Sequence, residues 1–152
     1  KEAHDKVRDL SHELIPPVLA KLGLYHAVQD MCEKNSNSMI QFSFTNKGLK
    51  MKRYQEDFEL KVFFILTELV NNIVKHSQAT NGEISIEEKN QTLHIKIIDN
   101  GKGFDTAKPL QNDGFGLTQI KARIKNLKGK ILLQSATNEG TKISITLPIV
   151  ER

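Results

Sequence analysis

The chain has 152 residues, 38% of them apolar and 26% charged, with a formal net charge of +4, an isoelectric point near 9.1 and one cysteine. That length builds one well-buried core without room for a second ordinary domain, and no segment supplies the ~20 consecutive apolar residues of a membrane span. The lone Cys32 excludes an internal disulfide, and the basic run of Lys47, Lys50, Lys52 and Arg53 has no interleaved aromatic residues on which bases could stack, so nucleic acid is not an expected partner. The run reads as a solvated loop or a patch for an acidic partner.

From Ala3 to Leu14 the apolar residues Val7, Leu10 and Leu14 recur at helical spacing, and Pro16 and Pro17 interrupt that helix because proline lacks the backbone donor. The second proline can open a new turn. Val18, Leu19, Leu22, Leu24, Ala27, Val28 and Met31 continue a helical pattern to the polar cluster Lys34 to Ser38, with a break at Gly23 and with Cys32 as a buried structural thiol. Ile40, Phe42 and Phe44 alternate with polar residues, the period of a half-buried strand. Between Tyr54 and Ser77 lies the longest helical signal, with Val62, Leu66, Leu69, Val70 and Ile73 on one stripe. Ile84 and Ile86, then Leu93, Ile95 and Ile97, predict two antiparallel strands with Lys89 and Asn90 in the turn. A helix over Leu117 to about Leu127 follows, and strands Ile131 to Ser135 and Ile143 to Leu147 close the chain around an Asn138-Glu139-Gly140 turn. The expected architecture is an α/β, or α+β, two-layer sandwich: helices on one face of a mixed, mostly antiparallel sheet. The division falls between residues 1–34, helical, and residues 35–152, the sheet-containing domain.

On the long helix, Glu68, Asn72 and Lys75 stand four and three residues apart and share a stripe. An amide oxygen can ligate Mg²⁺ beside phosphate oxygens, a carboxylate can orient or deprotonate a nucleophile, and a lysine can meet phosphate as a point charge. Asp99 ends an apolar strand and is followed by Gly101 and Gly103; an ionised carboxylate only accepts hydrogen bonds and so selects a donor-rich edge such as the exocyclic amine of adenine. The two glycines permit a sharp turn and close approach of a flat ligand. Gly114 and Gly116 precede a helix, where freed backbone N–H groups and the helix dipole favour phosphate. The stretch between Gly103 and Gly114, which includes Pro109, reads as a cover over the pocket. Gly140 and Thr141 offer a tight turn and a hydroxyl at the start of the last strand.

In this order and spacing the four segments resemble the ATP-binding catalytic domain of sensor histidine kinases, within the GHKL ATPases that include DNA gyrase, mismatch-repair and chaperone ATPases. Glu68 through Asn72 and Lys75 to His76 is similar to the family's N box, Asp99 through Gly101 and Gly103 to its first glycine box, Gly114 through Gly116 and Leu117 to its second, and Gly140 with Thr141 to its third. The resemblance covers Met39 to Pro148 and implies a Bergerat-type fold binding ATP and Mg²⁺. It implies Asn72 as metal ligand, Glu68 as the catalytic carboxylate, Lys75 and His76 near the phosphates, and Asp99 on the adenine amine. Gly101, Gly103, Gly114, Phe115, Gly116 and Leu117 would shape the pocket, and Thr141 would support its adenine side.

The segment from Leu14 through Pro17 and Leu19 to Gly23, Leu24, Ala27 and Val28 resembles the end of a dimerisation helix and its linker in the short-lid subfamily. The resemblance thus implies a histidine kinase that is a homodimer in its full-length form, with a response regulator as partner. It also implies a cytoplasmic location, with any membrane attachment through upstream regions. Ser11 through Leu14 resembles a phosphoacceptor box, but Pro16 and Pro17 kink the chain within a turn of it, and the sixty positions between His12 and Asn72 are too few for the rest of one helix, a hairpin and a second helix. The acceptor histidine is therefore expected upstream of Lys1, and this chain alone is expected not to phosphorylate itself. His4, His26 and His94 read as surface or packing residues. Rival readings are a GHKL serine kinase or ATPase, and a non-catalytic scaffold that nucleotide titration would separate.

Overall fold

The structure is a computed structural model, and it describes residues 15–107 and 116–152. The helix expected over Ala3 to Leu14, His4, His12, Pro109, Gly114 and Phe115 lie outside the described residues. In chain order the elements are α1 (Pro17–Leu22), α2 (Leu24–Asn35), β1 (Gln41–Lys47), α3 (Glu56–Asn72) continued by a π-helical turn (Ile73–Ser77), β2 (Asn81–Lys89), β3 (Thr92–Asp99), α4 (Leu117–Asn126), β4 (Lys130–Ser135) and β5 (Thr141–Pro148). The five strands form one sheet in the order β1-β2-β3-β5-β4. Only the β1–β2 pair is parallel; the other pairs are antiparallel. The mixed, mostly antiparallel two-layer architecture is as the sequence predicts.

Alternation decides which face of the sheet is covered. Ile84 and Ile86 on β2, Leu93, Ile95 and Ile97 on β3, and Ile143, Ile145 and Leu147 on β5 are all buried beneath the helices, while their neighbours Ser85, Lys96 and Ser144 stand in one register row on the other face. From above, α3 contributes Phe58, Val62, Ile65, Leu66, Leu69 and Val70, and α4 contributes Leu117, Ile120 and Ile124. Helix α2 joins the same core with Leu24, Ala27, Val28, Met31 and Cys32, whereas α1 buries only Leu19. At about 1.5–3 kcal/mol for each large apolar side chain buried, α2 is held by packing and α1 is not. Burial, helped by the Glu33 charge, pushes the Cys32 thiol up to about 11, as an inert structural thiol requires.

Several boundaries differ from the sequence reading. The β2–β3 turn uses Asn90 and Gln91, both with positive φ (53° and 60°), one residue later than expected, because a two-residue turn of that hand matches the twist of the strands. Tyr54 does not begin the long helix: it is fully buried and bridges Glu151, and α3 starts at Glu56. The basic loop is not a purely solvated patch either, since Lys52 pairs with Glu88 at 3.5 Å and Arg53 with the buried Glu59 at 3.1 Å. Among the described residues, no helix is long and apolar enough to cross a membrane.

Candidate functional site

A cleft opens between the C-terminal half of α3 with its π-helical turn and the ends of β3 and β5. Leu69, Ile73, Ile97 and Ile143 supply apolar walls, Asp99 and Thr141 lie at the sheet, and Leu117 closes one side from α4. Asp99 is the last residue of β3, the central strand, where it pairs with Gly82 on one side and Thr141 on the other. It is 7% exposed, and together with Glu59 it makes up the buried charged residues of the described chain. Its Oδ1 accepts the Gly101 N–H at 2.8 Å, and among the described residues no other hydrogen bond reaches the carboxylate. Burial pushes the carboxyl upward, opposed by the Gly101 bond. The result is a desolvated acceptor on the cleft lining, with one oxygen committed to the fold.

The glycines around Asp99 are crowded by protein. A β-carbon at Gly101 would stand 2.3 Å from the Ser77 carbonyl oxygen, and one at Gly103 would stand 2.1 Å from that of Ala136. Gly140, with φ of 76°, would bring its β-carbon 2.2 Å from the Asp99 carbonyl oxygen. These residues therefore let three loops interlock beneath the cleft, which differs from the expectation that Gly101 and Gly103 admit a flat ligand. Gly116 behaves otherwise: at φ of 62° it is the N-cap of α4, no side chain caps it, and the nearest atom to its β-carbon position is Glu68 Oε2 at 3.6 Å.

Helix α3 carries the remaining predicted residues. Asn72 and His76 line the cleft, whereas Lys75 is exposed and does not. Helical spacing already favours the fourth residue after Asn72 over the third, and the π-helical turn at Ile73–Ser77, which rotates less per residue, carries the third further from the cleft. Glu68, partly exposed, does not line the cleft either: it sits beside Gly116, with Arg123 Nη1 of α4 4.0 Å from its Oε1. Gly114 and Phe115 lie outside the described residues. Among the described residues, no group of three or more His, Cys, Asp or Glu is arranged to hold a metal ion.

Sequence reasoning missed several contributors. Asn100, read only as a turn residue, accepts the Thr80 and Asn81 N–H groups on its Oδ1, each at 2.9 Å, and donates from Nδ2 to Thr80 Oγ1, so it ties the end of β3 to the start of β2. Ser135 on β4 accepts the Phe104 N–H at 2.9 Å and lies 2.8 Å from Thr141 Oγ1. Lys102 lines the cleft, and its N–H donates to the Ser77 carbonyl at 2.7 Å. The Asp-Asn-Gly run marked a turn but not these contacts, whose partners are distant in sequence, and nothing local marks Ser135.

Residues 58–151, more than half of the chain, match the family described as histidine kinase-, DNA gyrase B- and HSP90-like ATPases. The signal transduction histidine-protein kinase/phosphatase DegS of Brevibacillus brevis is 31% identical over 98% of this chain, which spans 38% of that relative's length. Among solved structures, the blue-light activated histidine kinase of Erythrobacter litoralis EL346 superposes with a TM-score of 0.65 at 12% identity over 84% of this chain and 41% of that one. The catalytic domain of histidine kinase ThkA gives 0.61 at 17% identity, covering 84% of this chain and 88% of its own. The histidine kinase AdeS of Acinetobacter baumannii gives 0.60 at 22% identity over 83% and 61%. The chain belongs to the histidine kinase-, DNA gyrase B- and HSP90-like ATPase family and has the fold of a histidine kinase catalytic domain.

Proposed function

We propose that this domain binds Mg-ATP in the cleft and presents the γ-phosphoryl group to a histidine elsewhere in a dimeric sensor kinase that passes it to a response regulator. Residues 1–34 would complete a dimerisation helix and linker, and residues 35–152 would form the nucleotide-binding part. The observation that carries this reading is Asp99: a buried carboxylate with one oxygen held by Gly101, on the lining of a slot walled by apolar side chains. Such a group recognises a flat, apolar ring that bears an amine on its edge.

The chemistry of this reading is positioning and charge neutralisation. Asp99 accepts from the adenine amine, and Thr141 supports the same edge from β5. His76 and Lys102 face the phosphate side of the cleft, and Lys75 is the further cation on the π-helical turn. Asn72 and Glu68 are four residues apart on α3, so the Asn72 amide oxygen and the Glu68 carboxylate point toward one end of the cleft. That donor set suits Mg²⁺, which keeps several waters and takes few protein ligands beside phosphate oxygens. Bound Mg²⁺ neutralises phosphate charge; Glu68 orients the attacking group and accepts its proton.

Calorimetric titration with a non-hydrolysable ATP analogue, with and without Mg²⁺, tests the binding. Saturable Mg-dependent binding that Asp99→Asn weakens is the expected result, and no binding by the unaltered chain removes the reading. Transfer is tested in the full-length protein: acid-labile, base-stable phosphate from labelled ATP is expected, and phosphoserine in its place would support a serine kinase.

A further inference from the structure

Helix α1 is six residues long, buries only Leu19 and has no side-chain cap at Pro16. A helix this short does not hold itself. Its C-terminal end is instead bound from outside. The Arg53 guanidinium donates from Nη1 to the Lys21 carbonyl at 3.2 Å, and from Nη2 to the Ala20 and Leu19 carbonyls at 3.2 and 3.5 Å. The Leu19 carbonyl also accepts the Gly23 N–H at 3.0 Å, while Ala20 and Lys21 carry carbonyls of the kind that a helix end leaves without intrahelical partners, and a cation is favoured there.

The other side of the same guanidinium is fixed in turn. Nε donates to Glu59 Oε2 and Nη2 to Glu59 Oε1, both at 3.1 Å, so the carboxylate and the planar fork meet with two bonds. Glu59 is 1% exposed, its Oε2 also accepts the Tyr54 N–H at 3.0 Å, and Arg152 Nη2 approaches its Oε1 at 3.8 Å. Gly23, which ends α1 at φ of 91°, completes the fit, since a β-carbon there would stand 2.7 Å from Arg53 Cδ. One buried carboxylate thus joins the end of α1, the loop before α3, the first turn of α3 and the C-terminal residue.

We propose that Arg53 and Glu59 form a joint that sets the direction of α1 on the domain, and that this joint can be broken while the nucleotide cleft stays intact. Two features support separability. Glu59 stands at the N-terminal end of α3 and Asn72 at its C-terminal end, about 20 Å apart at 1.5 Å rise per residue. In addition α2, with five buried side chains, remains docked by packing when α1 lets go. The joint does not depend on what occupies the cleft.

Spin labels on Ala20→Cys and Asn126→Cys, both exposed positions, report the direction of α1 by distance distribution; Lys89→Cys with Asn126→Cys is the reference within the domain. Cys32 is buried with its thiol pushed up to about 11 and does not take the label. The expected result is a narrow α1 distribution in the otherwise unaltered chain and a broadened or shifted one in Arg53→Gln and, to a lesser degree, in Arg53→Lys. The reference pair stays narrow, and ATP-analogue affinity stays within about twofold. An unchanged α1 distribution in Arg53→Gln overturns the proposal. So does broadening of the reference pair in step with α1, a larger loss of affinity, or failure of both Arg53 variants to fold, each of which makes the pair a general support of the domain.

Discussion

Gly101 is packed on Ser77 so closely that a β-carbon on it would stand 2.3 Å from the Ser77 carbonyl oxygen and 2.9 Å from Asp99 Oδ1. The obstacle is backbone at the end of the π-helical turn, which also receives the Lys102 N–H, so it cannot swing aside as a side-chain tip would. Gly101→Ala is therefore expected to cost about 3 kcal/mol, the upper end of the usual range for overpacking. Because the shift pulls the Gly101 N–H from Asp99, nucleotide affinity should fall with it. A urea midpoint and an ATP-analogue titration measure both, and an unchanged midpoint would show that the contact relaxes freely.

That contact also marks where sequence reading stops. The apolar stripe of α3, the alternation in β2, β3 and β5 and the break at Gly23 were legible because each is a local periodicity or a local backbone preference. The position of Asp99 at the end of an apolar strand was legible for the same reason. Partners were not: that Gly101 lies against Ser77, that Ser135 meets Thr141, and that Arg53 reaches three carbonyls of α1 all depend on segments brought together only by the fold. That Lys75 turns away from the cleft while His76, four residues after Asn72, stays in it reflects the π-helical turn that follows Asn72, whose extra residue is accommodated by tertiary packing and is not marked in the local sequence.

Asp99 supplies a pH dependence whose sign is fixed. Burial pushes its carboxyl above the ordinary carboxylate value, so the folded domain holds a proton more readily than the unfolded chain does. Its contribution to stability is therefore favourable at low pH relative to neutral, and is lost as pH rises from the ordinary value through the raised one. Nucleotide binding runs the opposite way, because only the ionised form is a pure acceptor. Affinity should decline as pH falls through the raised value, and Asp99→Asn should lose that decline together with about 10- to 100-fold in affinity, the worth of a hydrogen bond to a charged group. Titrations at several pH values decide it; a decline of the same size in Asp99→Asn would assign the titration to another group.

Two ion pairs should differ sharply in their worth. Glu68 and Arg123 are 42% and 46% exposed at a separation of 4.0 Å, and such pairs contribute about 0–1 kcal/mol. Glu59 has a side chain 2% exposed, and removing it leaves Arg53 partly buried without its counter-charge. Breaking a buried pair costs about 3–5 kcal/mol, taken toward the lower value because Arg53 is 28% exposed. Denaturation of Arg123→Ala and Glu59→Ala at low and high salt checks the contrast. Comparable losses in the two variants would show that burial does not rank these pairs.

Asn72 offers the test that isolates the metal. It lines the cleft at the last position of α3, four residues beyond Glu68, where the helix widens into the π-helical turn. In the proposed reading its amide oxygen touches the nucleotide only through Mg²⁺, whereas Asp99 touches the adenine edge directly. Asn72→Ala removes a metal ligand without altering the apolar slot formed by Leu69, Ile73, Ile97 and Ile143. Its effect should accordingly appear as a loss of the affinity that Mg²⁺ adds, on the order of tenfold or more for one oxygen ligand, while binding measured in chelator changes little. Asp99→Asn should weaken binding in both conditions by the same factor, because the adenine contact is made whether or not the metal is present. The four titrations form a closed set. If Asn72→Ala lowers affinity equally with Mg²⁺ and with chelator, its amide serves the architecture of the turn and the metal is held by other groups.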